Sequence, residues 1–128
     1  TLTVVPAVTL STRAETRLPQ TWIALLRGRV RADLAATTGV EDATDVIEYL
    51  LAGADVVQSA SALLRHGPEY AAVLLDGVRE WMRRKGYHSV DEFRGVLAVS
   101  SGADGTGRGR GDYVGALREA DHRAYGIV

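Results

Sequence analysis

Residues 34–68 read LAATTGVEDATDVIEYLLAGADVVQSASALLRHGP, and the change of period along this stretch decides the fold. Leu34 to Ala36 is short and apolar, as a strand buried on both faces would be. Thr37, Thr38 and Gly39 form a turn. Asp42 stands where a helix N-cap belongs, with Asp45 in the first turn. Val46, Ile47, Leu50 and Leu51 then recur at helical spacing, and Gly53 supplies the stop. Ala54 to Gln58 is the next apolar run, closed by a turn at Ser59, Ala60 and Ser61. Strand, helix and strand in so few residues predict two parallel neighbours joined by a right-handed crossover. Both strands end in turns of small and hydroxyl residues on one side of the sheet, the side where such sheets hold ligands.

Composition narrows the function classes. The 128 residues are 46% hydrophobic, enough for one domain's core. Fifteen basic and sixteen acidic residues leave a net charge of −1, which argues against nucleic acid or another polyanion as partner. No apolar run approaches the ~20 residues of a membrane span, and no signal-like segment opens the chain. The chain holds no cysteine, which excludes disulfides and thiolate metal sites.

The flanks organise around this unit. Residues 1–17 read as an extended arm, rich in β-branched residues and broken by Pro6, with one short strand near Leu2 to Val5. Pro19 suits the first turn of a helix whose apolar face is Trp22, Ile23, Leu25 and Leu26, ended by Gly28. Arg27, Arg29 and Arg31 alternate in the following link and read as a solvated basic turn rather than a phosphate clamp. After Pro68 a long helix runs to about Lys85, with Tyr70, Val73, Leu74, Val78, Trp81 and Met82 on its inner face and Gly86 as its stop. Ser89 caps a short helix from Val90 to Arg94, with Glu92 at the capping-box position and Phe93 packing back. Residues 100–111, SSGADGTGRGRG, read as a glycine-rich connector, and residues 112–128 as a helical tail with Val114, Leu117 and Ala120 on one side.

Two segments, TTGVEDATDVIEYLLAGADVVQSASALLRHGP and LLDGVREWMRRKGYHSVDEFRG, resemble the C-terminal third of the dihydroorotate dehydrogenases. The specific signal is the ordered set TG, LLAGADVVQ, SAL, HGP and KGYHSVDEFRG, and the resemblance covers roughly Leu18 to Gly95. It implies an α/β chain carrying the last two strands and last three helices of a (β/α)8 TIM barrel, with residues 18–99 as that barrel portion. A complete barrel needs about 250 residues. The chain is therefore expected to be the C-terminal portion of a longer protein or a truncated reading frame.

The resemblance also implies the chemistry. The family binds FMN, holding its phosphate on a Gly-Gly pair after the seventh strand and a Gly-Thr pair after the eighth. Matched residue by residue, these pairs fall on Thr38-Gly39 and Ala60-Ser61, the candidate cofactor-binding residues. Backbone N–H groups at the two turns, with the helical turn near Ser61, would point at one oxyanion, and the hydroxyls add donors. The family's glycine-rich flavin loop falls on LSTRAETRLP, Leu10 to Pro19, which has no glycine. Its catalytic base, flavin-facing lysine and substrate-binding asparagines lie upstream, so no catalytic residue is assigned in this chain. A dihydroorotate-like small molecule is the implied substrate of the parent, the implied location is cytoplasmic, and a homo-oligomer is a possible state.

The other polar residues suggest no second site. His66 reads as a loop histidine; His88 and His122 show no metal-ligand spacing. Asp42 and Asp45 are explained as helix-start carboxylates, and Gln58 could point into the barrel mouth. Two alternatives stay open: a non-catalytic derivative with a weak phosphate site, and another phosphate-binding barrel enzyme, inosine-monophosphate dehydrogenase-like or hydroxy-acid-oxidase-like. The KGYHSVDEFRG tail counts against the latter.

Overall fold

The computed structural model describes residues 3–4 and 9–99. The chain divides into two units, Thr1–Ala98 and Val99–Val128, and every described helix and strand belongs to the first. The expected connector at 100–111, the tail helix, half of the expected strand at Leu2 to Val5, and His122 lie outside the described residues; Thr3 and Val4, which are described, form no strand.

Helix α1 spans Arg17–Leu26, strand β1 Ala35–Ala36, helix α2 Ala43–Ala52, strand β2 Val56–Val57, helix α3 Ser61–His66 and helix α4 Tyr70–Lys85. Short 3-10 turns lie at Arg13–Glu15 and Val90–Glu92. The two strands pair in parallel, Ala35 opposite Val56 and Ala36 opposite Val57, with α2 as the connection between them. This is an α/β arrangement of helices on a short parallel sheet.

Local chemistry explains these boundaries. Asp42 caps α2, its carboxylate accepting from the N–H groups of Thr44 (2.8 Å) and Asp45 (3.3 Å), while Asp45 accepts in return from the Asp42 N–H at 3.0 Å. These bonds satisfy donors that the first turn of a helix otherwise leaves open. Gly53 ends α2 at φ 122, a region only glycine enters cheaply. Ser89 and Glu92 form the expected capping box, but the turn stops at Glu92 rather than continuing to Arg94. Phe93 is drawn instead into an aromatic cluster, 4.9 Å from the Trp81 ring and 5.1 Å from the Tyr87 ring.

The core gathers Ile23, Ala36, Val40, Tyr49, Ala52 and Ala54 between α1, the sheet and α2. A second contact joins α2 to α4, where Leu74 and Val78 are buried one helical turn apart. Gly77 lies between them. A Cβ built there would stand 2.3 Å from the Cβ of Ala43, so the missing side chain is what lets the two helices approach.

Several expectations need correction. The strands are not buried on both faces: Ala35 is exposed and Val56 is 53% exposed, because no further layer covers that face among the described residues. Trp22 and Val73, expected on inner faces, are each 56% exposed for the same reason. The 1–17 arm is not extended throughout, since Arg13–Glu15 turns and α1 begins at Arg17. Arg29 and Arg31 are exposed, as expected, but Arg27 is half-buried. It binds both carboxylate oxygens of Asp55 (2.9 and 3.0 Å) and the Gly53 carbonyl (3.1 Å). Asp55 also accepts from the Leu34 N–H at 2.8 Å, and Arg94 reaches the Ala54 carbonyl at 3.2 Å. This network locks the end of the sheet opposite the two candidate turns.

Candidate functional site

The first turn follows β1 and is held from below by α2. Thr38 adopts φ 87, a left-handed conformation that costs a β-branched residue of order 1–3 kcal/mol. Tyr49, fully buried on α2, shares its hydroxyl proton between the carbonyls of Thr37 (2.9 Å) and Thr38 (2.7 Å). Burial, reinforced by the nearby Asp45 charge, pushes the Tyr49 phenol up to about 12, so it stays a donor throughout the neutral range. The turn after β2 is tied to the first through Ser59, whose hydroxyl donates to the Val40 carbonyl at 3.3 Å.

The two turns meet at a residue from the arm. Gly39 donates its N–H to Ser11 Oγ at 3.1 Å, and Ser11 Oγ lies 3.0 Å from Ser61 Oγ. The Ser11 N–H donates to the same Ser61 Oγ at 3.2 Å. A single oxygen thus sits within hydrogen-bond reach of both turns. Thr12 and Thr16 close over Gly39: a Cβ there would stand 2.6 Å from the Thr12 carbonyl oxygen and 2.6 Å from a Thr16 methyl. Glycine is therefore required at 39 for space as well as for its φ of 74.

Charged groups hold the arm in this position. Arg13 Nε donates to Asp45 at 2.8 Å, and its Nη2 group reaches both Asp45 (3.2 Å) and Asp42. Asp45 is only 1% exposed, and accepts from the N–H groups of Glu41 and Asp42 as well, so its buried charge is fully compensated. Burial pushes the Asp42 carboxyl up, but the bonds from Arg13, Asp45 and Thr44 outweigh it and leave it below the usual range. On α3, Arg65 donates to the Ser11 carbonyl at 2.8 Å and pairs with Glu41 at 3.3 Å. Helix α3 has six residues and no side-chain cap, so it adds little dipole of its own.

No family model matches the chain. Curated relatives do. The chain is 37% identical over 68 residues to a putative dihydroorotate dehydrogenase A (fumarate) of Aeropyrum pernix, a match covering 53% of this chain and 22% of the relative. It is 41% identical over 64 residues to a probable dihydroorotate dehydrogenase A (fumarate) of Enterococcus faecalis, and 36% over 64 residues to the dihydroorotate dehydrogenase A (fumarate) of Lactococcus lactis subsp. cremoris. Each of these two matches covers 50% of this chain and 21% of the relative. Over that half, the chain is dihydroorotate dehydrogenase-like. It spans about a fifth of the length of these relatives. A DHODH from Eimeria tenella, solved with ferulenol, shares the fold over 67% of this chain and 23% of its own, at a TM-score of 0.62 and 19% identity.

The structure brings Gly39 and Ser61 of this dihydroorotate dehydrogenase-like chain to one oxygen, and Thr38 adjoins them through its strained turn. Ala60 precedes Ser61 and carries no polar side chain. Gln58 is exposed, with its N–H given to the Ala36 carbonyl. His66 ends α3 rather than lying in a loop, and its ring lies tilted against the Tyr70 ring, 4.5 Å between centroids. Among the described residues no group of three His, Cys, Asp or Glu could hold a metal ion. No helix among them is long and apolar enough to cross a membrane.

Sequence reasoning missed Ser11, Arg13, Tyr49 and Arg65. Tyr49 had a legible signal, a phenol in the apolar stripe of α2, since a buried tyrosine hydroxyl needs an acceptor. Ser11 and Arg13 had none, because they act across more than 25 residues of chain.

Proposed function

We propose that this chain is the phosphate-gripping portion of an FMN-dependent dihydroorotate dehydrogenase-like oxidoreductase, with residues 18–99 forming the last strand–helix units of a (β/α)8 barrel. The observation that carries the reading is the convergence of Gly39 N–H and Ser61 Oγ on one oxygen, 3.1 and 3.0 Å from Ser11 Oγ. That donor set suits a phosphate oxygen. Backbone N–H and hydroxyl donors bind an anion through charge-assisted hydrogen bonds about twice as strong as those to a neutral group. Thr38, Gly39, Ala60 and Ser61 would hold the phosphate, and Tyr49 would keep the first turn in shape beneath it. Bound FMN supplies the hydride acceptor for oxidation of a dihydroorotate-like substrate in the parent protein. This chain's contribution is to bind and orient, with the catalytic base contributed by other segments.

A second reading, a non-catalytic derivative, is favoured by two specific features. The Gly39 N–H is already given to Ser11, and threonine and alanine stand at two positions where the family has glycine. Titrating FMN and riboflavin against the chain, followed by flavin fluorescence, separates the two. A phosphate site predicts FMN binding at least about tenfold tighter than riboflavin. Equal affinities would overturn the phosphate site and leave the non-catalytic reading.

A further inference from the structure

Arg65 belongs to neither of the two pairs matched to the phosphate, yet it ties the arm to α3. Its Nη2 group donates to the Ser11 carbonyl at 2.8 Å, and its Nη1 group to the Glu41 carboxylate at 3.3 Å. Ser61 and Arg65 stand one turn apart on α3 and so share a face. Glu41 is a fixed post for this arginine. Its N–H is given to the buried Asp45 carboxylate at 2.9 Å, and its carbonyl takes the Tyr70 hydroxyl at 3.0 Å. Ser11 in turn presents its Oγ to the Gly39 N–H and to Ser61 Oγ. The arm therefore stands as a wall of the candidate site, touching both turns, although Leu10 to Pro19 include no glycine.

We infer that Arg65, aimed by Glu41, is a positioning residue of the phosphate site: it clasps the Ser11 carbonyl from α3 and holds the arm as a wall across the two turns. This inference rests on the phosphate-site reading above. A guanidinium suits the task, because one planar fork reaches an acceptor on each side. The Arg65 and Glu41 side chains are 31% and 39% exposed, so their pairing adds little to global stability. Its effect falls on binding instead. A wall already in place spares the ligand the entropy of ordering it. Arg13 does the heavier anchoring, on Asp42 and on the buried Asp45, and keeps the arm attached when Arg65 is changed.

The test uses the full chain, with FMN as probe and riboflavin as the control lacking phosphate. Arg65→Gln removes the clasp and leaves Asp45 paired with Arg13. It is expected to lower FMN affinity about tenfold, with riboflavin affinity within about twofold of wild type. Trypsin cleavage of the Arg13–Ala14 bond, measured without ligand, reports the arm directly and is expected to quicken several-fold. Glu41→Gln decides the sign. As a charge near the phosphate, Glu41 repels it, and its loss would tighten FMN binding. As the post that aims Arg65, its loss weakens FMN binding, and weakening by a few-fold is the expected result. An unchanged FMN-to-riboflavin affinity ratio in Arg65→Gln, whatever its urea midpoint, makes the clasp merely structural and overturns the inference. If the ratio falls while trypsin cuts the arm at the wild-type rate, or if Glu41→Gln tightens FMN binding, Arg65 acts by charge and positioning is overturned. If FMN and riboflavin bind the wild type alike, the phosphate site falls and the clasp with it.

Discussion

The Tyr49 hydroxyl donates to the Thr38 carbonyl at 2.7 Å, reaching from the buried face of α2 to the strained turn that follows β1. The contact couples helix packing to the shape of the candidate site. Thr38 holds φ 87 without the freedom of glycine, and the surrounding structure must over-determine it. Tyr49 is the buried group that does so.

Tyr49→Phe should therefore destabilise the fold by about 1 kcal/mol, the net worth of the buried hydroxyl's bonds to the two turn carbonyls. Thr38→Gly should act in the opposite direction, gaining about 1 kcal/mol by relieving the left-handed threonine. Urea unfolding of the two variants checks both signs. Equal stabilities for wild type and Tyr49→Phe would show that the turn does not depend on the phenol.

Gly39→Asp is expected to weaken FMN binding by about tenfold or more, through like charge facing the phosphate. The added Cβ also meets Thr12 and Thr16 at 2.6 Å, so the variant should lose stability too. Measuring Gly39→Ala beside it isolates the charge: both push on the arm, and only the aspartate repels the anion. Flavin fluorescence titration reads the difference.

Acid should unfold the chain through its paired carboxylates. The bond from the Leu34 N–H, then those from Arg27, hold Asp55 below the usual carboxylate range, and Asp42 is likewise lowered. A carboxylate depressed in the folded state contributes stability that is present above its unfolded value, about 4, and lost as pH falls through the folded value. Thermal midpoints should thus hold steady from neutral pH to about 5 and fall below about pH 4. Asp55→Asn should flatten that acid limb. At the other extreme, Tyr49 is raised to about 12, so its contribution is full below about pH 10 and lost as pH rises through the folded value.

Flavin reduction by dihydroorotate is not expected from the 128 residues alone. Neither candidate turn contributes a base: Thr38, Gly39, Ala60 and Ser61 offer hydrogen-bond donors. Anaerobic mixing of the chain, FMN and dihydroorotate, followed at the flavin absorbance, is the check. Bleaching above the rate of free FMN would mean that the chain carries its own base.

Self-association should follow from the open sheet. Two short strands pair only with each other among the described residues, and Val56 stands 53% exposed beside them. Unpaired strand edges and uncovered apolar faces favour pairing with other chains. Size-exclusion chromatography at two concentrations should show a concentration-dependent shift, with broad thermal unfolding by circular dichroism. A monodisperse monomer with a sharp transition would show that the exposed edge is tolerated.

The local elements were legible from residues alone because their signals act over a few residues. Asp42 and Asp45 at the start of α2, Gly53 and Gly86 at helix ends, and the parallel pairing across α2 all follow from caps, stops and hydrophobic period. The two turns were also legible as neighbours, since parallel strands place their ends on one side. Tertiary structure decided the rest. The arm lies on the turns because Arg13 finds Asp45 across 32 residues, and Arg27 becomes half-buried because it finds Asp55 28 residues on. Such pairings depend on where the chain returns in space, which no local period encodes. Exposure of Val56 and Trp22 has the same origin: the pattern marks them as apolar, and only the packing determines what covers them.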